Sequence, residues 1–396
     1  MARAADDHVD TFEFDAFGTL GLVHSSEDQA DFTRNILVPR GAGASESWSP
    51  KVDSVLAGQL TARFTPRLSA VVQVVSEFQY DGSWTPRLEW ANLRYELTPE
   101  LAVGVGRIAS PIFMLTDTRR LTYALPWSRP PIEVYGLYPV TSNDGVSALW
   151  TSRIGDATHV LEVAYGRSDS KYSRDGQTGV AEGRQQLILR STLERGALAV
   201  HLGYSPAELT LPQYQPFFDA FRQFGPQGDA IADLYEPRGR DTRYLGVGAT
   251  YDPGRWFVMA ELAELKFDGV LASRAGGYLT AGLRHGPLTP YVTWAKTRPT
   301  RRRALQLLDL DSLPPESMAA AAALNAQLAA IVAGVPDQRT ISLGLRWDFA
   351  PNLCLKLQYD HTDLAAGTTG MLSNFQPGFV PGGKVKLFGI SASFVW

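Results

Sequence analysis

The segment KVKLFGISASFVW, residues 384 to 396, ends the chain and decides the fold. Apolar side chains occupy every second position from Phe388 to Trp396, and all of them except Ala392 are large. The positions between them are mostly small, and include Ser391 and Ser393. A period of two is typical of a β-strand whose two faces meet different surroundings. We interpret the apolar face as meeting lipid and the serine face as meeting a water-filled pore.

The same alternation recurs upstream. In TISLGLRWDF, residues 340 to 349, the apolar face carries Ile341, Leu343, Leu345, Trp347 and Phe349. After a short turn, LCLKLQYD, residues 353 to 360, repeats the pattern. Its opposite face holds Cys354, Lys356, Gln358 and Asp360. Segments of about ten residues with this pattern are typical of transmembrane β-barrels.

The turns divide the chain into about sixteen strands. Short x-Pro-x-Leu connections alternate with long ones. The short connections are tight turns, because proline fixes the φ angle that such a turn requires. We predict strands at 12–24, 54–64, 68–80, 87–97, 101–107, 146–155, 158–168, 184–193, 197–204, 241–251, 256–267, 277–285, 290–297, 339–349, 353–363 and 384–396. Because backbone groups in lipid must be paired, the sheet should close, with the last strand bonded to the strand around Phe14 and Leu20. A barrel this wide should hold water.

Composition excludes several other classes. The 396 residues are 44% hydrophobic and 20% charged, with a net charge of -4, and no run of about 20 apolar residues suggests a helical membrane protein. One cysteine allows neither an intrachain disulfide nor a zinc cluster, and the six histidines lack metal spacing. The negative net charge does not favour binding to nucleic acid. We therefore expect no catalytic residue, no cofactor and no metal.

The N-terminus MARAADDHVD has the A-x-A shape of a cleavage site. We expect residues 1–11 to be a periplasmic tail left after removal of a signal peptide. Residues 12–396 should form a single all-β domain, a transmembrane antiparallel β-barrel.

These features resemble the Gram-negative outer-membrane porins. The resemblance rests on the closing aromatic strand with Phe394 and Trp396, on the Pro-containing hairpins, and on a long connection after the fifth strand. It implies an inward-folded third long loop, about 108–145, that narrows the channel. It also implies a homotrimer, contact with outer-membrane lipid and lipopolysaccharide, recognition of the C-terminal strand by the barrel-assembly machinery, and periplasmic termini.

A pore selects by its width and by the charges at its narrowest ring. The candidates for that ring lie on inward strand faces and on the third loop: Arg63, Arg94, Arg107, Asp117, Arg119, Arg120, Arg129 and Glu133. Guanidinium groups outnumber carboxylates, so we expect a slight preference for anions. The alternative is that these arginines pair with neighbouring carboxylates and pin the loop.

The segment 298–338 should form a helical extracellular loop. Its basic run, Arg298 with Arg301 to Arg303, suits a solvated surface or lipopolysaccharide phosphates. The alanine-rich stretch after Pro314 and Pro315 predicts a helix that ends at Gly334.

The sequence thus predicts a porin for passive diffusion of small hydrophilic solutes. One alternative is a channel selective for sugars, organic acids or phosphate, with contacts from Tyr123, Trp127 and Tyr135. Two others are an outer-membrane enzyme and a structural barrel with a plugged lumen. No G-x-S-x-G motif supports the enzyme.

Overall fold

The chain forms one antiparallel barrel of sixteen strands. A computed structural model describes residues 11–174, 176–300 and 305–396. The strands are β1 (Phe12–Ser25), β2 (Val55–Arg63), β3 (Leu68–Glu77), β4 (Arg87–Glu96), β5 (Leu101–Ala109), β6 (Ser142–Ile154), β7 (Ala157–Arg174), β8 (Gln177–Arg195), β9 (Leu198–Thr210), β10 (Arg240–Tyr251), β11 (Trp256–Phe267), β12 (Arg274–Leu283), β13 (Leu288–Pro299), β14 (Gln338–Ala350), β15 (Leu353–Leu364) and β16 (Gly383–Val395). The predicted number of strands is confirmed.

The barrel closes between its first and last strands. Strand β16 pairs antiparallel with β1, and Ala392 lies opposite Leu20. On its other side β1 pairs with β2 from Phe12 to Thr19. A two-residue strand, Trp48–Ser49, adds to the outer end of β1. Closure leaves the barrel without a free edge, which is what a sheet in lipid requires.

The two faces of each strand differ as the alternation predicts. In β14, Ile341 and Leu343 are exposed on the outside, whereas Thr340 and Ser342 are buried on the inside. Branched and aromatic residues suit a strand whose outer side meets hydrocarbon. The apolar face predicted for the final segment is likewise exposed at Phe388 and Ile390.

The first described residue, Thr11, and the last residue, Trp396, lie at the end of the barrel with short turns. Consecutive strands are joined there by connections of two to four residues, such as 64–67 and 155–156. The other end carries the long connections 26–54, 110–141, 211–239, 300–337 and 365–382. Residues 1–10, and with them most of the predicted tail, lie outside the described residues, as do Arg301 to Arg303.

One pair of strands is much longer than predicted. The sequence suggested a long connection between 168 and 184, but β7 continues to Arg174 and β8 begins at Gln177. Polar residues occupy both faces of this extension, so its strands carry no amphipathic signal. The hairpin instead continues the backbone pairing, with Tyr172 opposite Gly179.

The helices lie in the long connections. They are α1 (Ile132–Tyr135), α2 (Gln215–Arg222), α3 (Gly225–Tyr235) and α4 (Pro315–Ala333), with short 3₁₀ turns at Thr122–Ala124, Pro212–Tyr214 and Leu310–Ser312. Phe218 and Phe221 of α2 share a buried cluster with Leu328 of α4. Helix α4 is long and apolar enough to cross a bilayer, and it is the one such helix among the described residues. Here it packs on another loop at the outer mouth.

Candidate channel and its constriction loop

The constriction loop, which we define as residues 110–141, lies inside the barrel. Its apolar side chains Phe113 and Trp127 share one buried cluster with the inward-facing Tyr244 and Tyr278 of the wall. The rings of Trp127 and Tyr278 meet edge to face with centroids 5.6 Å apart. The indole Nε1 of Trp127 donates to Thr293 Oγ1 at 2.9 Å. This loop therefore fills part of the lumen with a packed core.

A buried lysine holds the first half of the constriction loop. Lys356 Nζ, on β15, donates to the carbonyl oxygens of Leu125 and Trp127, each at 2.8 Å, and to that of Thr122. A buried amino group requires such partners because it has lost its water. The lysine thus stabilises a stretch of loop whose carbonyls would otherwise be unsatisfied.

A buried ion pair holds the middle of the loop. Arg129 Nη1 donates to Asp53 Oδ2 at 2.7 Å, and Arg129 Nη2 donates to Asp360 Oδ2. The three side chains are only 4%, 0% and 6% exposed. Burial acts against the charge of Arg129, but the two carboxylates outweigh it and raise its pKa. The arginine is therefore an anchor and stays charged.

The last part of the constriction loop is anchored by a carboxyl group whose hydrogen-bond partners are uncharged. The carboxylate of Glu133, in α1, accepts from Gln338 Nε2 at 2.7 Å and from Thr340 Oγ1. No cation within hydrogen-bond distance pairs with it among the described residues. Burial raises its pKa above 4.5, and the two hydrogen bonds offset this in part.

The serine face of β16 does not meet a pore. Ser391 and Ser393 are each 1% exposed. The hydroxyl of Ser128 lies 2.8 Å from that of Ser391, and the hydroxyl of Thr122 lies 3.2 Å from that of Ser393. That part of the sequence interpretation was wrong, because an inward loop covers this wall and replaces water as its hydrogen-bond partner.

Open space remains on the opposite side, along β2 to β7. An outer cavity of about 560 Å³ lies between this wall, the connection 26–54 and the end of the constriction loop. Eight basic and four acidic residues line it: Arg34, Arg40, Lys51, Arg87, Arg107, Arg120, Arg167, Lys171, Glu77, Glu89, Asp144 and Asp169. Basic residues therefore outnumber acidic ones by two to one in the lining of this cavity.

An inner cavity of about 340 Å³ lies nearer the short turns. Arg94, Asp117 and Glu162 are its charged lining residues. Asp117 and Glu162 both accept from Arg190 Nη2, with 2.8 Å between Arg190 and Asp117. Arg94 has no ion pair among the described residues. It is therefore the inner cavity's cation without a fixed counter-charge.

Arg120 lies on the constriction loop and faces the wall. Its Nη2 donates to Glu77 Oε1 at 2.6 Å and its Nη1 to Glu89 Oε1 at 2.7 Å. The neighbouring Arg119 has its guanidinium 6.0 Å from the ring of Phe113. Burial, with a smaller effect of Arg120, lowers the pKa of Arg119 to about 10, so it remains charged at neutral pH.

The structure brings only some of the predicted site residues together. Arg107 and Arg120 line the outer cavity, Arg119 and Arg120 line a smaller adjoining one, and Arg94 and Asp117 line the inner cavity. Arg107 shares a strand face with the exposed Val105 and therefore lies on the outward face, not on the inward face predicted for it, and it pairs with Asp144 at 2.8 Å.

The other predicted residues have different places. Arg129 and Glu133 are buried anchors on the packed side. Arg63 lies at the short-turn end and pairs with Glu13 at 2.8 Å. Trp127 and Tyr135, suggested as solute contacts, are buried in the loop's core.

Several residues of the site were not predicted. Lys356 and Asp360 were recognised as inward-facing, but nothing nearby in sequence shows what covers them. Glu89 and Arg34 could not be identified from the sequence, because their contacts depend on how two long connections pack. Among the described residues no group of three or more His, Cys, Asp or Glu could hold a metal ion.

Comparison with known proteins finds relatives in structure alone. No protein-family model and no curated protein matches the sequence. The anion-selective porin from Comamonas acidovorans has a TM-score of 0.58 at 12% identity, over 97% of this chain and 100% of that one. OmpF of Salmonella typhi, in complex with daunomycin, has 0.55 at 12%, and the outer-membrane channel DcaP of Acinetobacter baumannii has 0.54 at 10%, each over 97% of both chains. At these identities the likeness is one of fold, and this chain has the fold of the Gram-negative porins.

Proposed function

We propose that the protein is an outer-membrane channel through which small hydrophilic solutes diffuse passively, with a slight preference for anions. The observation that carries the proposal is the division of the lumen. Around the middle of the barrel the constriction loop packs against the wall from β8 through β16 to β1, and it leaves the two charged cavities along β2 to β7. A polar path through a lipid-embedded barrel lowers the barrier for polar solutes without any catalytic residue.

The preference for anions follows from the lining of the path. In the outer cavity Arg120 is matched by Glu77 and Glu89, but Arg34 and Arg40 have no carboxylate partner among the described residues. Fixed cations near a narrow passage raise the local concentration of anions. A structural neighbour of the same fold is described as anion-selective.

Location and assembly follow by analogy with the fold. We propose insertion in a bacterial outer membrane with the short turns and both termini in the periplasm. A homotrimer, contacts with lipopolysaccharide and recognition of β16 by the barrel-assembly machinery belong to the same proposal, and one neighbouring structure, OmpT of Vibrio cholerae, is described as a trimer form. We propose no enzymatic activity and no cofactor.

The test is the zero-current potential of the purified protein in a planar bilayer under a gradient of potassium chloride. We expect the conductance to rise in steps, and we expect the zero-current potential to have the sign that results when chloride permeates more readily than potassium. A potential of the opposite sign would contradict the preference for anions. An insertion without conductance would contradict the channel itself and favour a plugged structural barrel.

A further inference from the structure

A further cavity, of about 240 Å³, lies at the outer mouth and differs in character from the charged path. It lies between the end of the constriction loop, the inward faces of β7 to β12, and the end of α4 with the residues that follow it. Apolar side chains dominate its lining: Leu137, Leu209, Phe267, Val270, Leu271 and Ile331. A path for hydrated solutes gains nothing from such a chamber, because water is poorly held against apolar walls.

The apolar chamber adjoins the outer cationic cavity. Five residues line both of them: Leu37, Pro139, Val140, Ser168 and Ser170. A solute lying across this shared wall would have an apolar part on one side and a polar part among guanidinium groups on the other. The two cavities together thus present complementary surfaces to one amphipathic molecule.

Arg34 supplies a group that lacks a partner on the cationic side. Its Nη2 donates to the carbonyl oxygen of Arg119 at 2.9 Å. Its Nη1 is buried and has no hydrogen-bond partner among the described residues. A buried donor left unsatisfied costs free energy, and a carboxylate is the acceptor that a guanidinium binds best. Arg34 lies three residues before Leu37, which belongs to the shared wall.

We propose that the two cavities form one binding subsite for small anions that carry an apolar body, namely aromatic or branched aliphatic carboxylates. This inference rests on the proposed channel function and names its substrate class. The size fits, because an apolar cavity of roughly 150 Å³ already holds a benzene ring. The ring occupies the apolar chamber, and the carboxylate lies among the guanidinium groups that line the outer cavity, including that of Arg34.

The first test compares solutes on the unaltered protein in a planar bilayer. Benzoate is added to a constant potassium chloride background, and acetate, gluconate and benzyl alcohol are added in parallel. We expect benzoate to reduce the current at a concentration about tenfold or more below that needed with acetate or gluconate. Of these three carboxylates, only benzoate has a ring to bury in the apolar chamber. Benzyl alcohol, which has the ring without the charge, should be weaker than benzoate.

Two variants and their matched controls test the two halves of the site. Ala272→Asp places a carboxylate in the wall of the apolar chamber, and Ala326→Asp makes the same change on the exposed face of α4. Arg34→Gln removes a guanidinium that lines the outer cavity and has no ion pair among the described residues, and Arg238→Gln removes an exposed arginine elsewhere. We expect the first member of each pair to raise the blocking concentration of benzoate about tenfold and its control to leave it unchanged.

The outcomes separate this inference from the proposed function. If the protein conducts ions but benzoate blocks the current no better than gluconate does, the subsite is refuted and the proposed channel function stands. Absence of conductance overturns the channel, and the subsite is then judged by equilibrium dialysis of benzoate against the detergent-solubilised protein, with empty micelles as the blank. Binding that survives both Ala272→Asp and Arg34→Gln would place benzoate elsewhere and refute the inference.

Discussion

Replacing Arg129 with methionine removes the cation that lies between two buried carboxylates, one on β15 and one in the connection 26–54. Asp53 and Asp360 are 0% and 6% exposed, so water cannot solvate their carboxylates once the cation is gone. Removing one partner of a buried ion pair costs about 3–5 kcal/mol. At about 1.4 kcal/mol for each factor of ten, the balance between the docked and the released loop shifts by about two to three and a half orders of magnitude.

Hydrogen exchange and channel recording measure the release of the loop. The backbone amides of residues 122–129 should exchange faster by a similar factor, since they exchange through local opening. The released loop uncovers the wall of β15 and β16, so the single-channel current should become larger and noisier. Arg238→Met, the loss of an exposed arginine, is the matched control and should change neither quantity.

A compensating variant separates charge from packing. Combining Arg129→Met with Asp53→Asn and Asp360→Asn removes both unpaired charges, so most of the lost protection should return. If the triple variant exchanges as fast as Arg129→Met, or if Arg129→Met alone leaves exchange and current unaltered, the ion pair does not hold the loop.

Three further predictions address other parts of the site. Lys356→Met leaves carbonyls of the constriction loop unsatisfied and should lower the free energy of unfolding by about 1–3 kcal/mol, measured by denaturant titration in detergent. Arg94→Gln should move the zero-current potential toward cation selectivity, whereas Arg63→Gln, whose partner Glu13 lies at the short-turn end, should move it less; equal shifts would contradict the proposed path. Because burial raises the pKa of Glu133, the folded protein holds its proton to higher pH than the unfolded chain, so stability falls as the pH rises from 4.5 through the raised pKa. The variant Glu133→Gln should flatten that dependence in unfolding titrations across this range.

The barrel could be predicted because its signals are local. Alternation of the kind seen from Ile341 to Phe349 sets the faces of a strand, and proline sets a turn within a few residues. The hairpin of β7 and β8 was underestimated beyond 168, since strands with polar residues on both faces have no such pattern.

The docking of the constriction loop could not be predicted in the same way. Arg129 and Asp360 are 231 positions apart, and nothing near either residue encodes the other. The alternation showed that Lys356 and Asp360 point inward, but whether water or protein covers them depends on the path of a loop more than two hundred residues away. The charged residues could therefore be identified, whereas their roles as anchors or as lining required the fold.

Thiol accessibility tests most directly whether the path runs along β2 to β7 and is sealed on the opposite wall. The buried Cys354 is replaced by serine, and a single cysteine is introduced by Ser147→Cys in the inner cavity or by Ser391→Cys under the constriction loop. A charged methanethiosulfonate reagent is added during single-channel recording. The account predicts an irreversible fall in current with Ser147→Cys and no reaction with Ser391→Cys. Equal reaction at Ser391→Cys, or inertness at Ser147→Cys, would contradict it.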